Sequence, residues 1–260
     1  MVWQATKSLG RSMAIQRRVI FALLIREILT RYGRHNIGFL WLFVEPMIFT
    51  IGVTAIWTVT KAIHGADIPI QAFALTGYSS ILVWRNMPAR CIFAATINEA
   101  LMHHNNVRAL DIYLSRIFLE AIGATASFIT LGLLFISIGW MEPPENLIKV
   151  MGGWAILIGF GGSMAIFLGT LSERYDIIEK FWHPMSYLLF PFAGAAFVVD
   201  ALPKVAQGYV LLLPMVSGVE MLRDGFFGSK VHSHYDVPYV VVVSAMFLLM
   251  GLVHIRKISN

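Results

Sequence analysis

Residues 205–222 read VAQGYVLLLPMVSGVEML, and the way they are taken decides the fold. As one membrane crossing they would raise the number of spans to seven and put the two ends of the chain on opposite sides. Pro203, Pro214, Gly208, Gly218 and Glu220 argue instead for short half-helices that enter and leave from one side. Irregular backbone is tolerated at membrane depth only where protein or a wet cavity surrounds it, so such a segment must be enclosed.

The rest of the chain has the composition of a membrane protein. Of 260 residues, 57% are hydrophobic and 13% are charged, and the mean hydropathy is +0.70. A soluble domain carries about 25% charged residues. Six apolar blocks surround the ambiguous piece, at 39–60, 68–102, 112–140, 147–171, 181–199 and 237–255. The second, as a single helix, would be about 52 Å long against a hydrocarbon core of ~30 Å, so it must tilt, kink or protrude.

Charge chooses between six spans and seven. With six, one side collects Lys7, Arg11, Arg17, Arg18, Arg26, Arg31, Arg34, Arg108, Arg174, Lys180, Arg256 and Lys257. The other holds only Lys61, Lys149, Lys204, Arg223 and Lys230. The positive-inside rule then places both termini in the cytoplasm. The expected fold is an all-α polytopic membrane protein: six transmembrane helices, an N-terminal segment at 1–38, and a membrane domain at 39–260 whose re-entrant region covers about 200–228. Residues 11–34 are rich in arginine, and two readings stand for them: an interfacial helix or a plain positive anchor. The apolar run 19–25 is short and followed at once by Arg26-Glu27, so no cleaved signal is expected.

Several chemistries find no support. There is no G-x-x-x-x-G-K-[ST] phosphate loop, so no nucleotide is cradled in that way. G-x-S-x-G, H-E-x-x-H and paired C-x-x-C are absent too. His103-His104 and the pair His232 and His234 lack partners at metal-ligand spacing and read as loop histidines. Cys91 is the single cysteine and reads as a small packing residue. The net charge of +5 sits beside apolar blocks instead of forming one patch, so topology explains it better than nucleic acid does. In the fourth block Gly161, Ala165 and Gly169 recur every four residues, a stripe that lets another backbone approach. Ala121, Gly123, Thr125 and Ser127 form a similar set in the third block, and spans three and four are expected to pack together.

Four segments together carry a resemblance: REILTRYGRHNIGFLWLFVEPM at 26–47, VRALDIYLSRIFLE at 107–120, SERYDIIEKFWHPMSYLLFPFAG at 172–194 and LPMVSGVEMLRDGFFG at 213–228. The chain resembles the transmembrane subunits of type-2 ABC exporters of bacterial capsular polysaccharide and O-antigen. The resemblance implies a homodimer of six-span subunits in the inner membrane, driven by two copies of a separate ATPase that holds ATP and Mg. It implies an N-terminal interfacial helix, a coupling helix after the second span and re-entrant helices before the last. The implied substrate is a lipid-linked polysaccharide moved from cytoplasm to periplasm, with periplasmic and outer-membrane partners beyond. Coupling to the ATPase would fall at His104, Asn105, Asn106, Val107, Arg108 and Asp111, with Glu173, Arg174 and Asp176 as lesser contacts. A solvated turn is the plain alternative. Another lipid-linked polymer, such as O-antigen or teichoic acid, a glycan-modifying enzyme and a scaffold are the competing functions.

The stretch ILVWRNMPARC at 81–91 supplies the candidate site, because it carries two arginines in the middle of an apolar block. Arg90 and Glu45 lie at comparable depths, about 18 and 16 Å from the cytoplasmic ends of spans two and one, so they are expected to pair. Arg85 is deeper and has no obvious carboxylate. Tyr78 lies seven residues earlier, within about 20° on the same helical face. An unpaired guanidinium is costly in lipid and suits a wet path carrying carboxylates or phosphates. Asn86 adds a polar neighbour, and Trp41, Trp57, Tyr78 and Trp84 are the rings that could face sugars. Alternatively Arg85 snorkels, or bonds carbonyls freed at Pro88. Arg116 and Glu120, one turn apart, are expected to pair with each other or with the N-terminal helix. Glu220, Arg223 and Asp224 are expected to make contacts at the outer mouth.

Overall fold

The computed structural model describes residues 2–32, 36–60, 68–103 and 107–258, and side chains at some helix ends in these ranges are left aside. The described residues are helical and contain no strand. A long first helix, α1 (Val2–Tyr32), leads to α2 (Asn36–Thr60) and α3 (Ile70–Cys91). Two single turns, α4 (Ala94–Ile97) and α5 (Glu99–Met102), precede α6 (Ala109–Ser137) and α7 (Leu147–Ser172). Then come α8 (Ile177–Leu189), α9 (Lys204–Val210), α10 (Pro214–Phe227) and α11 (Val237–Ile258).

Helices α2, α6, α7 and α11 are long and apolar enough to cross a bilayer, and α9 with α10 adds a fifth if that bent pair is taken as one span. The α9–α10 pair turns by 109° around Leu211–Leu213, and Pro214 opens α10 where its missing N–H costs no helical bond. The long second block does not run as one helix. α3 passes through Pro88 and stops at Cys91; Phe93 then takes a left-handed conformation, φ 51°, and redirects the chain into α4. The fifth block is likewise interrupted. α8 has 13 residues, about 20 Å, and gives way at Phe190–Phe192 to a tight turn and irregular chain containing Pro191 and Gly194.

Helix α7 is the hub, packed on α3, α10 and α11. Its glycines make this possible. A Cβ on Gly161 would lie 2.9 Å from the Cα of Trp84, and one on Gly169 would lie 2.8 Å from the carbonyl of Cys91. At the other end of α7 a Cβ on Gly153 would come within 2.6 Å of the Leu222 nitrogen in α10. The stripe therefore receives α3 along its length and α6 at Gly169, where a Cβ would lie 2.7 Å from the Tyr113 ring, while α10 meets α7 at Gly153, outside the stripe. Span three uses its own Gly123 to admit Leu42 of α2. It reaches α7 through the 2.8 Å hydrogen bond from Trp154 Nε1 to Thr125 Oγ1.

A second fastening lies beyond the α3–α10 contact. Arg223 is fully buried and donates to the carbonyls of Gly194 and Phe197 at 2.6 Å and of Ala195 at 2.8 Å. Its guanidinium also lies 3.9 Å over the ring of Phe73. Glu220, equally buried, accepts from the backbone N–H groups of Val199 (3.3 Å) and His234 (3.1 Å). Asp224 accepts from Lys149 Nζ at 2.7 Å and Tyr235 at 2.9 Å. The contacts these three residues make lie within the chain: Glu220 and Arg223 tie irregular backbone to α10, which is how such backbone is satisfied when buried, and Asp224 ties α10 to α7 and to Tyr235.

Candidate functional site: a charged cavity between α2, α3, α6 and α8

A cavity of about 340 Å³ opens between four helices. Leu42, Glu45, Pro46 and Phe49 line it from α2, and Tyr78, Leu82, Arg85, Asn86 and Arg90 from α3. Glu120, Gly123 and Ala124 come from α6 and Tyr187 from α8. The sequence dictates this wall on α3: positions 78, 82, 85 and 86 share one helical face, while the opposite face, with Trp84 and Cys91, meets the glycines of α7.

Arg85 forms no ion pair or hydrogen bond among the described residues; its guanidinium lies 4.3 Å over the ring of Tyr187. The aromatic face partly offsets the cost of holding the charge there, and no hydrogen bond runs from Arg85 to the backbone near Pro88. Tyr78 packs edge-on to Phe190, with ring centres 6.2 Å apart. The cavity thus presents a guanidinium held by no ion pair, an amide, two tyrosine rings and, from α2, the Glu45 carboxylate.

The expected Glu45–Arg90 pair is not formed. Both residues line the cavity, but Arg90 Nε approaches Glu120 Oε1 at 3.4 Å, while Glu45 has no ion pair among the described residues. Equal depth does not fix azimuth: α6 packs against the C-terminal end of α3, where Arg116 Nη1 donates to the Arg90 carbonyl at 2.7 Å. Arg116 and Glu120 take the second of their two expected partners, the N-terminal helix, and do not pair with each other. Each turns to α1, Arg116 Nε to Glu27 Oε1 at 3.3 Å and Glu120 to Arg31. Arg31 in turn holds Glu27 at 3.0 Å.

The ring candidates divide. Tyr78 lines the cavity, whereas Trp84 does not. It is fully buried, faces α7, and meets Trp182 edge-on at 6.5 Å, so it is a packing residue. Trp57 packs against Phe73 at 5.8 Å, and Trp41 is exposed outside the cavity lining. The lining residues that sequence reasoning does not place in the path include Tyr187 and Glu120. The one available signal is that both sit on spans adjoining α3.

Of the coupling residues, His104, Asn105 and Asn106 lie outside the described residues. Arg108 is exposed and Val107 half-buried. Asp111 is buried; its carboxylate accepts from the Arg108 backbone N–H at 2.9 Å and from the Gln16 side chain, so it caps α6 and anchors α1 instead of facing a partner. Glu173 also turns inward. It accepts from the N–H groups of Ala95 (2.7 Å) and Thr96 (3.1 Å), from the Thr96 hydroxyl (2.6 Å) and from Tyr113 (3.1 Å). The neighbouring Ser172 accepts from Phe93 N–H at 3.0 Å. The α7–α8 connection is thereby bolted to the segment after α3. Arg174 and Asp176 stay exposed, and His234 lies 3.1 Å from Asp200.

A model of the ABC-2 type transporter family matches residues 18–227, which takes in the cavity, the α3–α6 and α7–α8 connections and the bent pair. The chain belongs to that family. This ABC-2 permease is accordingly a transport subunit, and ATP hydrolysis lies in a separate subunit. Over 253 residues it is 40% identical to the capsule polysaccharide export inner-membrane protein CtrC of Neisseria meningitidis serogroup B, covering 97% of this chain and 96% of that one. It is 39% identical to the capsule polysaccharide export inner-membrane protein BexB of Haemophilus influenzae, covering 96% and 94%. With the polysialic acid transport protein KpsM of Escherichia coli the permease shares 23% identity over 92% of each chain.

Proposed function

We propose that this chain is the inner-membrane permease of an ABC exporter that moves a lipid-linked, acidic capsular polysaccharide from cytoplasm to periplasm. The observation that carries the reading is similarity over almost the whole chain to two proteins named for capsule polysaccharide export. The cavity is lined by Glu45 and Glu120 as well as by Arg85 and Arg90, and its support for an acidic substrate comes from Arg85, a guanidinium suited to carboxylate or phosphate oxygens that forms no ion pair among the described residues. Tyrosine faces at Tyr78 and Tyr187 suit weak, repeated contacts with sugars, and a moving polymer requires weak contacts, as ion conduction does.

In this reading two copies of the chain work with two copies of the ATPase, which carries ATP and Mg, and periplasmic and outer-membrane proteins extend the route. Six spans, α2, α3, α6, α7, α8 and α11, leave both termini in the cytoplasm. The α9–α10 pair is re-entrant and caps the outer mouth. Residues 1–38 form the N-terminal cytoplasmic segment and 39–260 the membrane domain. The interfacial placement of α1 is supported by its two faces: Phe21, Ile25 and Leu29 are exposed at four-residue spacing, while Glu27 and Arg31 turn inward. Coupling to the ATPase falls on 104–108 and the exposed Arg174 and Asp176.

The test is reconstitution. The permease and its ATPase in vesicles should translocate a lipid-linked acidic glycan in an ATP-dependent way. Transport of neutral O-antigen or of teichoic acid instead, or none at all, would overturn the reading.

A further inference from the structure

The ion pairs beneath the cavity form one alternating chain: Arg116, Glu27, Arg31, Glu120, Arg90. It holds three cations and two anions, so one positive charge is left over. Four of its members have side chains only 10–13% exposed, but Arg90, at the cavity end, is 43% exposed. The surplus charge therefore emerges where a ligand can reach it. The same oxygen, Glu120 Oε1, serves both Arg31 and Arg90, and Arg31 is the closer partner while Arg90 stands off at 3.4 Å. One carboxylate oxygen cannot fully neutralise two guanidinium groups. Whatever Arg31 takes, Arg90 does without.

We infer that Glu120 is a specificity-determining residue whose charge is divided between Arg31 and Arg90. Arg31, on the N-terminal helix, thereby sets how strongly Arg90 attracts an anionic oxygen of the transported polymer, whether carboxylate or phosphate. The inference rests on the acidic-polymer reading above and adds the residues that tune it. Substitutions at two residues in contact with each other should have opposite effects. Removing Arg31 leaves Glu120 wholly to Arg90 and closes the site to anions; removing Glu120 leaves Arg90 free and opens it. A role confined to holding α1 against α6 would make both changes harmful in the same direction.

The experiment uses the full permease with its ATPase in lipid nanodiscs and reads Arg90 directly, through its rate of modification by phenylglyoxal followed by peptide mass spectrometry. Glu120→Gln should speed modification and Arg31→Gln slow it, each by about fivefold, the scale of a partly exposed ion pair. Arg31→Lys, which keeps the charge, should match the parent, and the double variant should follow Glu120→Gln. Equal rates in the parent and both single variants overturn the inference. Hexagalacturonate and an oligomer of glycerol phosphate then serve as carboxylate and phosphate probes, with carboxyl-reduced hexagalacturonate as the neutral control. Binding of either anionic probe in the order Glu120→Gln, parent, Arg31→Gln supports the inference and identifies the oxygen class. Binding that ignores the substitutions overturns the charge sharing and leaves the acidic-polymer reading in place. If neither anion binds while the modification order holds, the sharing stands and the acidic-polymer reading falls.

Discussion

The Arg85 guanidinium lies 4.3 Å over the ring of Tyr187, so this charge is met by an aromatic face and by no ion-paired carboxylate. An ion pair would hold that charge permanently. A ring holds it weakly enough to be exchanged for an anionic ligand, and the exchange can be tested. Tyr187→Phe keeps the ring and should leave export near the parent level. Tyr187→Leu removes it, at a loss of roughly 0.5–2 kcal/mol of cation–π attraction, and should lower export of an acidic polymer. Arg85→Ala should abolish that export while the protein still assembles with its ATPase. Equal export by Tyr187→Leu and Tyr187→Phe would count against the ring's part.

Glu173 is expected to matter for mechanical coupling. Its carboxylate makes four hydrogen bonds to the segment after α3 and to Tyr113. Charge-assisted bonds of this kind contribute about 1.5–3 kcal/mol each when a partner is deleted. Glu173→Ala should lower thermal stability and uncouple ATP hydrolysis from transport, leaving hydrolysis itself intact. Normal transport per ATP consumed would show that the bolt is dispensable.

At the α7–α3 contact the prediction is steric. Gly161→Val puts a β-carbon 2.9 Å from the Trp84 Cα, and Gly169→Val puts one 2.8 Å from the Cys91 carbonyl oxygen. Overpacking costs about 1–3 kcal/mol when side chains can yield and more when the obstacle is backbone. Both variants should be recovered in much reduced amounts from the membrane. Gly159→Val, at a position with open space around its Cβ, is the control that should be recovered normally.

Arg223 provides a fourth test. Three carbonyls depend on its guanidinium, so Arg223→Met should release residues 194–197 and expose them to protease. Arg223→Lys, a point charge without the planar fork, should restore at most part of the protection. Full protection in Arg223→Met would mean the pin is redundant.

Much of the fold is legible in the sequence because it rests on periodicity and length. The apolar blocks at 112–140, 147–171 and 237–255 correspond to α6, α7 and α11 within a few residues. The break at 211–213 is signalled by Pro214 and the nearby glycines. What sequence does not supply is azimuth. Depth alone matches Arg90 to Glu45, but rotation about the helix axis gives it to Glu120. Trp84, one residue from Arg85, points 100° away and so belongs to the α7 contact and not to the cavity. In α1 the charges look scattered because their organising surface is another helix: Glu27 and Arg31 make sense only beside Arg116 and Glu120. Asp111 and Glu173 read as outward for a similar reason, since polar residues in cytoplasmic connections look alike whether they meet solvent or cap a neighbouring helix.

The glycine contacts of α7 have a consequence for movement. Where backbones touch, there is no side-chain cushion to absorb sliding, so α3, α7 and α10 travel as one slab. The cavity wall carrying Arg85 and Arg90 belongs to that slab. The facing wall on α8 is a short helix of 13 residues that ends in irregular chain, and Tyr187 stands on it. That wall is fastened to the slab as well, by Glu173 at one end and by Arg223 at the other, so the Tyr187 ring and the Arg85 charge it covers are carried together.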